Sequence, residues 1–158
     1  MKRTILLSLM CAGVGFSQIA SVLVKTTSLS GTAEVITLQQ NPTKASQMVV
    51  RLVAAYVDCS VACTITLERN GTPATTTTLT PVNVNPVERV AVAQGFSASN
   101  VGVGSILGSY AIAAAGSLTI DLSSINFTIN NNQGSNLTIR TSAISGTVNI
   151  IIKFTESN

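Results

Sequence analysis

The residues whose types and spacing bear most directly on chemistry are Cys59 and Cys63, four positions apart in YVDCSVACTITLERNGT, Tyr56 to Thr72. Such a pair can be a redox couple, half of a metal site, a disulfide or two buried thiols. The spacing is CxxxC, not the CxxC of thioredoxin-like sites, and two thiolates without further ligands make a poor zinc site. In one straight strand their Cα atoms would lie about 13 Å apart at ~3.3 Å per residue, beyond the ~7 Å that a disulfide spans. A strand unbroken from Gln47 to Arg69 would far exceed the usual ~3–10 residues, so the chain is expected to reverse within Ser60, Val61 and Ala62. The two cysteines then flank the turn, and a Cys59–Cys63 disulfide is the leading expectation, ahead of buried free thiols. So small a ring gains less from loop entropy than a long one.

Little else in the chain offers catalysis. There is no histidine, which removes Ser-His-Asp and Cys-His triads, histidine-containing zinc sites and imidazole acid–base chemistry. The carboxylates are Glu34, Asp58, Glu68, Glu88, Asp121 and Glu156; glycosidase chemistry needs two of them about 5–10 Å apart, and the reversal makes Asp58 and Glu68 the pair to test. The glycines of GVGSILG, Gly102 to Gly108, miss the GxGxxG nucleotide pattern because Leu107 stands where the third glycine belongs, and no helical periodicity follows. That stretch reads as a loop leading into a strand. Asn70-Gly71-Thr72, Asn126-Phe127-Thr128 and Asn136-Leu137-Thr138 match the N-glycosylation pattern, as chance allows in a chain so rich in Asn and Thr. The expectation is a non-enzyme with no catalytic residues, cofactor or metal.

The elements that hold these residues read as all-β. Apolar residues recur with period two between Gly, Pro, Asn and Ser breaks. In GTVNIIIKF, Val148, Ile150, Ile152 and Phe154 share one face while Thr147, Asn149 and Lys153 share the other, the alternation of a half-buried antiparallel strand. Ala33–Gln39, Val87–Gln94, Ser105–Ala113 and Leu118–Leu122 follow the same rule. Ile125, Phe127 and Ile129 have the opposite parity to Leu118, Ile120 and Leu122, which requires an interruption at Ser123-Ser124. Asn130–Asn136 is expected to be a turn before a strand at Leu137 and Ile139. Thr72–Pro86 is a hydroxyl-rich, proline-bounded edge strand and loop. Gln47–Val57 is apolar at both parities except at Arg51, as in a central strand covered on both sides or one packed on another subunit. Eight to ten such strands predict a two-sheet antiparallel β-sandwich, jelly-roll-like rather than immunoglobulin-like. The immunoglobulin alternative is weakened by the absence of Trp and by cysteines that look too close in sequence to join two sheets.

The whole chain has 158 residues, 46% hydrophobic, 4% aromatic and 9% charged. A single domain of this size can bury a real core, built from Val, Ile, Leu and Ala. Charge is well below the ~25% usual for soluble domains, so the surface is mostly hydroxyls, amides and small apolar groups. Of the nine basic residues, Lys2 and Arg3 begin MKRTILLSLMCAGVGFSQIA, a basic start, an apolar run and small residues at Gly15 and Ser17. This is the pattern of a secretory signal over residues 1–17, with cleavage as far as 20, followed by one domain over 18–158. The run is short of the ~20 apolar residues of a membrane span, so no span is expected once the signal is removed. Cys11 follows the bulky Met10, unlike a lipoprotein box. The other basic residues are scattered singly, which argues against nucleic acid as a partner. The functional expectation is a secreted or cell-surface structural subunit of a filament, sheath or matrix that self-associates. Its alternatives are a surface-glycan-binding adhesin or lectin-like module and a viral capsid or tail β-sandwich.

Overall fold

The alternation of GTVNIIIKF places that segment at the centre of a sheet, and the rest of the chain is arranged around it. The computed structural model describes residues 19–29, 34–40, 49–71, 77–85, 93–99, 104–125, 127–129, 135–143 and 145–157. Its strands are β1 (Ile19–Leu29), β2 (Glu34–Gln40), β3 (Val49–Cys59), β4 (Cys63–Arg69), β5 (Thr77–Leu79), β6 (Val82–Asn83), β7 (Ala93–Ser99), β8 (Ser105–Ile112), β9 (Gly116–Asp121), β10 (Thr128–Ile129), β11 (Asn136–Ser142) and β12 (Gly146–Ser157). A 3-10 turn at Ser123–Ile125 follows β9.

Two six-stranded antiparallel sheets result, as the all-β reading expects. Sheet A runs β10-β3-β12-β1-β6, with β9 also paired to β3, and sheet B runs β5-β7-β2-β11-β4-β8. The core lies between them: Leu23, Val57, Ile120, Val148, Ile150, Ile152 and Phe154 from sheet A face Ile36, Leu38, Ile65, Leu67, Leu137 and Ile139 from sheet B, all almost wholly buried. Burying one such aliphatic or aromatic side chain is worth about 1.5–3 kcal/mol, so an interior poor in aromatics is sufficient.

The doubly apolar segment is an interior strand of sheet A and carries a feature that neither expectation included. Lys153 of β12 pairs with Ala54 and Phe154 with Leu52, so Val53 is an extra residue in β3. A bulge of this kind shifts side-chain parity by one. Val50 and Leu52 therefore face the core before it, and Ala55, Val57 and Cys59 after it. The bulge carbonyl is satisfied, because Leu122 N donates to Val53 O at 3.1 Å.

Other boundaries follow the sequence pattern with local corrections. The interruption at Ser123-Ser124 is the 3-10 turn, and β8 occupies nearly all of Ser105–Ala113. Asn136 belongs to β11 and is buried, so it is not part of a turn; the rest of Asn130–Asn136, apart from Ser135, lies outside the described residues. So do residues 87–92 of the Val87–Gln94 prediction, Gln47 and Met48, and the signal segment 1–17. β1 escaped the pattern because Val22 and Val24 on its outer side mask the alternation of Ser21 and Leu23, both buried.

Candidate functional site

The reversal at Ser60–Ala62 is present and a disulfide joins Cys59 to Cys63, with Cα atoms 6.5 Å apart. Its context corrects one expectation. Cys59 belongs to sheet A, opposite Val148 and Gly116, whereas Cys63 belongs to sheet B, opposite Ile112. A spacing of four residues therefore does join two sheets, because the chain crosses between layers at the turn. Both cysteines are buried. Ser60 N donates to Thr147 O at 2.9 Å and Thr147 N donates to Ser60 Oγ at 2.8 Å, which fastens the turn to the start of β12. Beside it Gly146 has φ +110°, and a Cβ there would lie 2.6 Å from Val61 Cγ2. A groove of 550 Å³ runs past Ala62, Cys63, Thr64, Ala111, Ile112 and Ser142 without a charged side chain. With the sulfurs bonded to each other, this corner holds two layers together and offers no thiolate.

The described carboxylate side chains are dispersed. Asp58, on sheet A, accepts the Ser117 hydroxyl at 2.7 Å, while Glu68, on sheet B, accepts Arg140 Nε at 3.1 Å and Gly104 N at 3.1 Å. The turn therefore does not bring this pair together. Asp121 accepts both Ser123 N, at 2.9 Å, and Ser123 Oγ, at 2.6 Å. The Ser123 hydroxyl first, then its amide, hold the Asp121 carboxyl below its ordinary range. Glu156 is fully buried and accepts the Ala93 amide, linking β12 to β7 across the sheets. Among the described residues no three His, Cys, Asp or Glu side chains cluster as metal ligands do.

Sequence reasoning missed a polar layer on the side of sheet B away from the core. Thr37, Thr138, Asn136 and Glu68 alternate with core residues along their strands, yet each is almost wholly buried. Thr138 bonds to Thr37 at 3.3 Å and donates to Asn136 Oδ1 at 3.2 Å, and Asn136 Nδ2 donates to Gly71 O at 2.9 Å. Asn136 is therefore no glycan acceptor in the folded chain, while Asn70, exposed at φ 54°, sits in the turn after β4. The glycine of GVGSILG that matters is Gly104, where a Cβ would come within 2.6 Å of Gly71 N. It is a backbone contact and no phosphate cradle.

Among the described residues two surfaces are open. β8 ends sheet B, has no charged residue or proline over Ser105–Ile112, and exposes Ile106 at 63%. The outer face of sheet A carries two parallel cross-strand rows. One is Ser117, Asp58, Asn149 and Thr26; the next is Thr119, Tyr56, Ile151 and Val24. Tyr56 and Val24 are exposed. A shallow groove of 320 Å³ lies over Tyr56, Asp58, Ser117, Thr119, Asn149 and Ile151. No protein-family model matches the chain, and no curated protein is significantly similar to it.

Proposed function

We propose that this chain is a secreted, non-catalytic structural subunit that self-associates at a cell surface through its charge-poor β surfaces. The observation that carries the reading is the edge strand β8. Its eight residues carry no charge and no proline, and among the described residues no strand pairs with its outer side. Soluble proteins blunt such edges with lysine, proline or very short strands, because unpaired amides and carbonyls recruit another strand. β5, at the opposite edge of sheet B, is blunted by its length of three residues. The sparse charge of the whole chain supports the same reading, since close lateral packing then meets little like-charge repulsion. The signal-like N-terminus and the disulfide support an oxidising compartment outside the cytosol.

The test is sedimentation velocity over a concentration series, with electron microscopy of the same samples. Assemblies are expected to grow with concentration and to be lost in Ile106→Lys, which charges the edge at an exposed position. A chain that stays monomeric at high concentration overturns the reading.

A further inference from the structure

We propose that the outer face of sheet A binds a neutral saccharide chain, with Tyr56 as the apolar platform and Asp58 with Asn149 as the hydroxyl-binding pair. A pyranose ring presents C–H groups on a face and hydroxyls around its rim. Its recognition needs an apolar surface beside fixed, planar hydrogen-bonding groups. Tyr56 is 41% exposed and is the exposed aromatic among the described residues, flanked in its row by Thr119 and Ile151, with Val24 beyond Ile151. The polar row lies two residues away along each strand, a separation of about 7 Å, on the scale of one sugar ring.

That row is already oriented. Ser117 Oγ donates to Asp58 Oδ1 at 2.7 Å, and Thr26 Oγ1 donates to Asn149 Oδ1 at 3.0 Å. Each bond fixes one oxygen and leaves the complementary function: the second carboxylate oxygen of Asp58 as acceptor and the amide hydrogens of Asn149 as donor. Asp58 and Asn149 are directly paired across β3 and β12, which sets their Cβ atoms about 4.5–5.5 Å apart. An acceptor beside a donor at that spacing complements two neighbouring hydroxyls. Pre-orientation by Ser117 and Thr26 lowers the ordering cost of binding.

The ligand class follows from charge. An anionic glycan would meet the Asp58 carboxylate in a polar row that contains no Lys or Arg; Lys153 lies on the same face one row beyond Tyr56 and Ile151, in the row of Ala54 and Asp121. The exposed Asp58 carboxylate accepts hydrogen bonds and donates none, so its partner must be a donor. A sugar hydroxyl donates to it.

This site is separate from the β8 edge and stands whether or not the chain self-associates. The test incubates the full mature protein with insoluble cellulose, chitin and mannan, then titrates the soluble hexasaccharide of whichever polysaccharide retains it, following Tyr56 and Asn149 by NMR. Retention on at least one neutral polysaccharide is expected, with affinity reduced at least tenfold in Tyr56→Ala and in Asp58→Ala and largely kept in Tyr56→Phe. Unchanged melting temperatures show that the variants fold. Lack of retention on all three, binding indifferent to Tyr56→Ala, or a Tyr56→Ala effect confined to self-association would each overturn the proposal.

Discussion

Leu23 on β1 and Gly95 on β7 meet across the sandwich so closely that a Cβ on Gly95 would lie 2.6 Å from Leu23 Cδ2. Leu23 is 1% exposed, so its methyl groups have no solvent to move into. The glycine is the hole that a large side chain of the opposite sheet fills. Gly95→Ala is expected to destabilise the protein by about 1–3 kcal/mol, as overpacking of a close-packed interior does. The double variant Gly95→Ala, Leu23→Val should recover part of that loss. Chemical denaturation of both variants checks the coupling.

Gly104 calls for a stricter outcome from the same substitution. The obstacle there is the backbone of Arg69 and Gly71, and Gly104 N also donates to Glu68 Oε2. Backbone cannot rotate away as the end of a leucine can. Gly104→Ala should therefore cost more than Gly95→Ala and should also perturb the Glu68–Arg140 pair, visible as shifted amide resonances in β4 and β11. Equal melting temperatures for the two variants would contradict this ordering.

The disulfide spans two layers through a loop of only a few residues. Loop-closure entropy for so short a ring amounts to about 2 kcal/mol. Cys59→Ala with Cys63→Ala is expected to lower stability by about that amount plus a small packing loss, with the fold retained, because Ser60 and Thr147 still hold the turn through two hydrogen bonds. Urea denaturation and circular dichroism of the double variant provide the check. Complete unfolding at room temperature would mean that the bond, and not the surrounding sheets, defines this corner.

Several features were legible in the residues because their cause is local. The alternation of Val148, Ile150, Ile152 and Phe154 marks the inner face of β12, the parity change after Leu122 marks the 3-10 turn, and strand-length arithmetic locates the reversal at Ser60–Ala62. What was hidden depends on partners distant in sequence. The bulge at Val53 exists only against Lys153 and Phe154, so one strand read alone looked apolar on two faces. Asn136, Thr138 and Thr37 look like surface polar residues because polar-out alternation is the default for an antiparallel strand; buried, they satisfy one another through a bond between strands from Thr37 to Thr138 and one within β11 from Thr138 to Asn136. Cysteines close in sequence were assigned to one sheet because nothing near them announces that β3 and β4 belong to different layers. The candidate saccharide rows were illegible for the same reason, since Tyr56, Asn149 and Thr119 become neighbours only through sheet register.

Asp121 provides a pH-dependent test of the element that closes β9 and seats the bulge of β3. Its carboxylate accepts the Ser123 hydroxyl at 2.6 Å and the Ser123 amide at 2.9 Å, and the next backbone contact, Leu122 N to Val53 O, fixes the bulge. Both Ser123 bonds favour the charged form and hold the Asp121 pKa low, the hydroxyl contributing most and the amide next, against an opposing effect of desolvation that exceeds the further lowering by the Ser124 backbone. A folded-state pKa below the unfolded one gives stability that is fully present above the unfolded carboxylate pKa and is lost as pH falls through the lower, folded value. A carbon-detected NMR titration should therefore place the Asp121 midpoint below that of an ordinary aspartate. In Ser123→Ala the midpoint should move upward while part of the depression persists through the amide. An unmoved midpoint would assign the depression to the backbone alone.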